Sequence, residues 1–174
     1  MLVCGGSDGL NTFSECYSSL PARPERGWQV APSLPVKTSH AATAVLGEKM
    51  FVFGGSRQAD CEAGRPQVQI LSSRPGLSWS LSPASEPPRA LGSHNCALSL
   101  PPLVLLIGGW TEARCEGRPD SLANYLDQVY ILDTTTDTWT EGPRLNTRRR
   151  DHGCTVVSVA GRLVRETELA RSQN

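Results

Sequence analysis

One motif occurs three times in this chain: an apolar run that ends in two glycines, then a variable segment, a tryptophan, a proline-containing turn and a histidine. The second glycines stand at positions 6, 55 and 109, so the steps between units are 49 and 54 residues. The motif residues are Gly5, Gly6, Trp28 and His40, then Gly54, Gly55, Trp79 and His94, then Gly108, Gly109, Trp139 and His152. A period of this length predicts an array of similar structural units.

Each unit predicts four short strands. In the second unit, residues 41–46 are small or β-branched, and residues 50–53 are apolar throughout. Residues 67–71 alternate polar and apolar side chains, as a half-buried strand does, and residues 78–81 form a fourth run around Trp79. The same pattern predicts strands over residues 129–132, 138–140 and 154–157.

The motif residues suit a scaffold. A glycine pair has no Cβ, so the backbone can lie close to its neighbour, and a tryptophan suits packing between adjacent sheets. We interpret the histidine as a residue that bridges backbone groups at the start of the first strand. A catalytic or metal-binding role is the alternative, although one histidine in each unit is not a ligand cluster.

A glycine pair, a downstream tyrosine and a tryptophan at a period near 50 residues resemble the kelch repeat. Tyr130 precedes Trp139 by nine residues and Tyr17 precedes Trp28 by eleven, whereas the middle unit has Ile70 at this position. The resemblance implies an all-β fold of kelch-type β-propeller blades, each a four-stranded antiparallel sheet.

The resemblance divides the chain into repeats. We expect kelch repeats over residues 1–164, approximately at 1–40, 41–94 and 95–152, with a partial unit at 153–164. Residues 165–174 are polar and lack a glycine pair, which predicts a disordered tail. Propellers have about four to eight blades, so three units predict an incomplete propeller. Its unpaired sheet edges lead us to expect a marginally stable or aggregation-prone chain.

Charge and cysteine content narrow the function classes. The 17 basic and 17 acidic residues cancel, which does not favour nucleic acid or an anionic membrane as partner. The six cysteines include no CxxC pair, which favours reduced thiols in an intracellular protein, cytoplasmic or alternatively nuclear. Cys61 and Cys115 each follow a glycine pair by six residues. They are a relic of duplication or, alternatively, a redox pair or metal clip.

The loops supply the functional hypothesis. In kelch-type propellers the partner surface is built from the loop after the glycine pair and the loop that enters the next blade. These loops are residues 7–12, 56–66 and 110–127, and residues 32–39, 82–93 and 142–151. The candidate partner-binding residues within them are Arg57, Arg65, Arg89, Arg114, Arg118, Arg148, Arg149 and Arg150. Arginine binds carboxylates and phosphates well, so an acidic peptide or phospho-motif is the expected partner. Solvated loop charge, partly offset by acidic neighbours, is the alternative.

These features together predict a non-catalytic protein-interaction module that presents loops on one propeller face. The resemblance implies the substrate-recognition part of a ubiquitin-ligase adaptor or a cytoskeletal scaffold. A kelch-like enzyme such as a copper oxidase is the alternative, but it needs a tyrosine and histidine ligand set that this chain does not offer. We therefore predict no catalytic residue, no metal and no cofactor, and we assign no oligomeric state.

Overall fold

The fold is all-β. The computed structural model describes residues 1–55, 68–73, 76–82, 96–110, 125–159 and 162–163. Within these residues the only helical segment is one 3₁₀ turn at Pro24–Arg26. None of the described residues belongs to a helix long and apolar enough to cross a membrane.

The strands form three successive blades and a hairpin, in which every pair is antiparallel. Blade 1 has three strands in sequence order: β1 (Leu2–Cys4), β2 (Cys16–Ser18) and β3 (Gln29–Ala31). Blade 2 has four: β4 (Ala42–Leu46), β5 (Lys49–Phe53), β6 (Val68–Ser72) and β7 (Ser78–Leu81). Blade 3 also has four: β8 (Cys96–Leu100), β9 (Leu103–Ile107), β10 (Val129–Asp133) and β11 (Thr138–Glu141). The hairpin joins β12 (Ser158–Val159) to β13 (Arg162–Leu163).

These sheets confirm the expected fold class of antiparallel kelch-type blades. The strands predicted in the second unit agree with the observed ones to within one residue, because burial alternates along the strands as the sequence pattern does. The strand predicted over residues 154–157 is wrong, since pairing starts only at Ser158. A first strand needs a full second strand beside it, and β13 supplies only two paired residues.

Strand register identifies equivalent residues in the three blades. Two positions before the first glycine of each pair stand Val3, Val52 and Leu106. Their partners on the third strand of each blade are Tyr17, Gln69 and Tyr130. The residue at the tyrosine position of the middle unit is therefore Gln69, and the assignment of Ile70 is wrong. Counting from the tryptophan misplaces it by one because the hairpin loops differ in length.

Neighbouring blades pack face to face. Successive side chains of a strand point to opposite faces of the sheet, and β5 uses both faces. Val52 packs into a core with Cys16 and Ala31 of blade 1. Phe51 and Phe53 pack into a second core with residues of blade 3. Blade 2 thus buries one face against each neighbour.

The tryptophans of blades 2 and 3 each lie against the preceding blade. Trp79 packs at the core shared by blades 1 and 2, and its indole N–H donates to the Pro32 carbonyl at 2.8 Å. Trp139 meets the Phe53 ring edge-on, with the ring centroids 6.1 Å apart. Trp28 occupies the equivalent place in blade 1 and is 51% exposed.

Four cysteines form two disulfides, so the expectation of reduced thiols is wrong for them. Cys4 and Cys16 are direct cross-strand partners, with Cα atoms 4.1 Å apart. Cys96 and Cys154 each follow a motif histidine by two residues, and their bond joins successive units. Rules based on cysteine spacing identify cysteines that are close in sequence. They therefore do not identify cysteines that strand pairing or packing brings together.

Replacing Gln69 by leucine should destabilise the fold by about 2 kcal/mol, because it leaves backbone groups without their partners. The buried Gln69 amide accepts from the Val36 N–H at 2.9 Å and donates to the Val36 carbonyl at 3.0 Å. Urea unfolding of Gln69→Leu measures the loss. The control Gln29→Leu changes an exposed glutamine at the start of β3, whose side chain donates to the Arg26 carbonyl in the preceding turn. It should alter stability by no more than about 0.5 kcal/mol. Equal losses in the two variants would contradict the bridging role.

Candidate protein-binding surface

The two kinds of loop meet through the same backbone hydrogen bonds in blades 1 and 3. In blade 1 the Gly6 N–H donates to the Thr38 carbonyl at 2.9 Å, and the Thr38 N–H donates to the Phe13 carbonyl at 3.1 Å. In blade 3 the Gly109 N–H donates to the Arg149 carbonyl at 2.8 Å. The Arg149 N–H in turn donates to the Leu126 carbonyl at 3.1 Å. The loop after the glycine pair and the loop leaving the blade therefore lie on the same side of each sheet.

The glycine pair makes this contact sterically feasible. Gly5 and Gly108 have φ angles of 64° and 57°, in the left-handed region that side chains disfavour. A Cβ on Gly108 would lie 2.9 Å from the Arg149 carbonyl oxygen, and one on Gly5 would lie 2.5 Å from the Thr38 carbonyl oxygen. Both contacts are too short for a carbon atom, so only glycine admits the loop at this distance.

Arginines gather on the loop at residues 142–151. Two guanidinium groups share the Asp127 carboxylate, at 3.3 Å from Arg144 and 3.8 Å from Arg148. The side chains of Arg144 and Arg148 are 56% and 52% exposed, so solvent weakens these ion pairs to about 0–1 kcal/mol each. One carboxylate cannot neutralise two cations. The loop therefore keeps an exposed positive charge in a fixed place.

Arg150 differs from its neighbours because it packs on aromatic rings. Its guanidinium carbon lies 5.3 Å from the Trp110 ring centroid and 5.0 Å from the Tyr125 ring centroid. Trp110 is buried and is bridged to Tyr125 through the backbone. Cation–π contacts of this kind contribute about 0.5–2 kcal/mol. Arg150 is thus part of the base of the loop, whereas Arg148 and Arg149 are exposed above it.

The sequence did not assign roles to Asp127 or to the Trp110 and Tyr125 rings. Asp127 stands two residues before β10, where its backbone carbonyl accepts from the Leu145 N–H at 2.7 Å and its carboxylate meets two arginines. The equivalent Ser14 carbonyl of blade 1 accepts from Leu34 at 2.8 Å. An acidic residue just before the third strand, with arginines in the loop after the fourth strand, is the signal that could have identified it.

Blade 1 presents different chemistry at the equivalent loops. The Asp8 carboxylate accepts from the backbone N–H groups of Asn11 at 2.6 Å and Leu10 at 2.8 Å. These bonds, that from Asn11 most of all, lower the pKa of Asp8. Lys37 is exposed on the neighbouring loop. Among the described loops, the positive charge is therefore concentrated at blade 3.

The motif histidines do not share one environment. His40 is exposed and has a left-handed φ of 57°. In the last unit the left-handed residue is Asp151, with φ of 55°, and His152 follows it. His152 is half-buried against Gly108.

Burial, and next the positive charge of Arg149, lower the pKa of His152. The Ile107 carbonyl lies near the ring and opposes this shift, but neither ring nitrogen makes a hydrogen bond of good geometry within the described residues. The lowered pKa favours the neutral form of the ring.

Several predicted residues lie outside the described part of the chain. They are Arg57, Arg65, Arg89, Arg114, Arg118, His94, Cys61 and Cys115. Their roles stay predictions. Within the described ranges, no three histidine, cysteine or acidic side chains come together as a metal site would require.

Comparison with known proteins agrees with the geometry. Residues 92–146 match the family model for the Kelch motif, which spans blade 3 and the start of the arginine-bearing loop. The chain is also similar to the Rho GTPase-activating protein gacHH of Dictyostelium discoideum, with 29% identity over 113 residues. The match covers 64% of this chain and 7% of that protein.

Replacing Gly108 by alanine should destabilise the protein more than replacing Gly47. Both glycines have φ of 57°, so both variants carry the same left-handed strain, about 1–2 kcal/mol. A Cβ on Gly47 meets open space, whereas one on Gly108 collides with the Arg149 carbonyl and the His152 ring. We expect Gly108→Ala to lose about 1–3 kcal/mol more in chemical denaturation. Equal losses would show that the loop contact is not needed.

Proposed function

We propose that this chain, in which residues 92–146 match the Kelch motif, is a kelch-type protein-interaction module whose partner binds the loops beside blade 3. The arginine surface, defined as Arg144, Arg148 and Arg149, is the part of the chain proposed to meet the partner. The observation that carries this proposal is the sharing of one carboxylate, Asp127, by two exposed arginines.

Rigidity of the loop favours a binding role. The Arg149 backbone is fixed to Gly109 and Leu126 by two hydrogen bonds, and Arg150 is packed on two rings. A loop that is ordered before binding loses less conformational entropy on association. The exposed ends of Arg148 and Arg149 are thus presented by a backbone that does not need to rearrange.

The charge of the surface points to an acidic segment as partner. Guanidinium groups bind carboxylates and phosphates through paired N–H donors. The Asp127 side chain is only 20% exposed, whereas those of Arg144 and Arg148 are more than half exposed. A partner carboxylate or phosphate could therefore bind the outer side of the same guanidinium groups while Asp127 keeps them oriented.

The biological setting follows from analogy alone. A ubiquitin-ligase adaptor and a cytoskeletal scaffold are settings in which a kelch module would recognise another protein. The relative named above as a Rho GTPase-activating protein shares only 7% of its length with this chain. We therefore propose recognition, and not GTPase activation, as the shared property. The absence of catalysis stays a prediction.

The cytoplasmic location also stays a prediction. The two disulfides are more typical of oxidising compartments. The partner class does not depend on the compartment, since acidic segments occur on either side of a membrane.

Charge reversal of the arginine surface tests the proposal. Glu- and phosphoserine-rich peptides serve as probes, with a Lys-rich peptide as the negative control. The variant Arg144→Glu, Arg148→Glu, Arg149→Glu should bind the acidic peptides at least about tenfold more weakly, because three attractive charges become repulsive.

The matched control is Arg23→Glu, Arg26→Glu, Lys49→Glu. These exposed cations lie at connections on the opposite end of the strands, so this variant should keep the wild-type affinity. An unchanged affinity in the first variant, or an equal loss in the control, would contradict the proposed surface.

A further inference from the structure

The outer face of blade 1 is apolar and open. It is formed by residues that all point away from blade 2. Their exposed fractions are 63% for Met1, 50% for Val3, 43% for Tyr17 and 51% for Trp28. Val3, Tyr17 and Trp28 line an open groove of about 360 Å³. Contiguous patches of exposed aromatic and aliphatic side chains often mark sites of interaction with other molecules.

The equivalent faces of the other two blades show what covers such a surface. In blade 2 the positions of Val3 and Tyr17 are taken by Val52 and Gln69, which are 3% and 1% exposed. Val52 packs in a core with residues of blade 1. Gln69 lies against the loop that leaves blade 1, where its amide group forms two hydrogen bonds with the Val36 backbone. In blade 3 the same positions hold Leu106 and Tyr130, 1% and 3% exposed and packed against blade 2. In blades 2 and 3 this face is therefore covered by the opposite face of the preceding blade.

Blade 3 has such a face, and it is only partly covered. Leu105 and Ile107 point away from blade 2 and are half-buried. Their equivalents in blade 2, Phe51 and Phe53, are 3% and 1% exposed because blade 3 covers them. Among the described blades, blade 1 thus has an open face of the type that Val52 occupies in blade 2, and blade 3 has a partly open face of the type that Phe51 occupies. Faces of these two types pack together twice within the chain, between blades 1 and 2 and between blades 2 and 3.

The strand edges are complementary in the same way. Blade 1 has the strand order β1-β2-β3, so β1 lies at an edge, whereas β5 and β9 each pair with a first strand. After blade 3 the chain begins another unit, whose start is held to β8 by the Cys96–Cys154 disulfide. This segment lies where a first strand for a following blade would begin.

We propose that two copies of this chain associate head to tail, so that the open face of blade 1 in each copy covers the open face of blade 3 in the other. The segment after blade 3 of one copy then lies beside β1 of its partner. Two such contacts are related by a twofold axis and close the assembly. The three described blades of each copy together give six, within the about four to eight blades of closed propellers. This inference does not depend on the arginine surface.

Size-exclusion chromatography with light scattering on the full chain tests the proposal. We expect a discrete dimer that dissociates on dilution. Val3→Glu with Trp28→Glu should weaken the dimer at least about tenfold by placing charges in the groove, and so should Leu105→Glu on the opposite face. Leu10→Glu, at a loop residue that is 84% exposed, should leave it unchanged. Circular dichroism identifies any variant that fails to fold.

Mixing the two defective variants separates head-to-tail association from other dimers. Val3→Glu, Trp28→Glu retains a normal blade 3 face, and Leu105→Glu retains a normal blade 1 face. One of the two contacts is therefore intact in a mixed dimer, and the mixture should associate more tightly than either variant alone. A monomeric wild type, an open-ended series of oligomers, or a mixture no tighter than its components would overturn the proposal.

Discussion

In blades 1 and 3, the described surface depends on the backbone hydrogen bond from the second glycine of the pair to the loop that leaves the blade. Gly6 makes it with Thr38 and Gly109 makes it with Arg149, at 2.9 and 2.8 Å. An apolar second strand ends there, and the positive φ of the pair turns the chain outward. Because no side chain intervenes, the loop that leaves the blade is fixed against the loop that follows its second strand. Two segments distant in sequence thereby form one surface.

The same contact relates the scaffold to the chemistry above it. At blade 3 the carbonyl that accepts this bond belongs to Arg149. The position of the arginine-bearing backbone is therefore fixed by the end of the second strand. Asp127 then orients two guanidinium groups, and the rings of Trp110 and Tyr125 hold a third. Blade 1 has the same backbone bonds, but its equivalent loop carries Lys37 alone and no arginine, so the repeat fixes loop position while loop chemistry varies.

The strands of the blades could be predicted from the sequence because the pattern of apolar residues is local. Strands β4 to β7 were predictable within a residue because alternation and apolar runs report burial directly. Gln69 was missed because its position is defined by pairing with Val52, which depends on loop length. The disulfides were missed for a similar reason, since Cys4 and Cys16 meet only through register. The sequence shows the arginines of this loop, but the difference between a packed Arg150 and an exposed Arg148 follows from tertiary contacts with Trp110 and Asp127.

Amide hydrogen exchange at the glycines tests the central claim most directly. The N–H groups of Gly6 and Gly109 should exchange as slowly as amides within the strands, because each donates to a carbonyl of the adjoining loop. Gly9 provides the internal reference, since its N–H bonds only to the Ser7 hydroxyl in an exposed loop and should exchange quickly. Exchange of Gly6 and Gly109 at the rate of Gly9 would contradict the account, because the two loops would then not be joined.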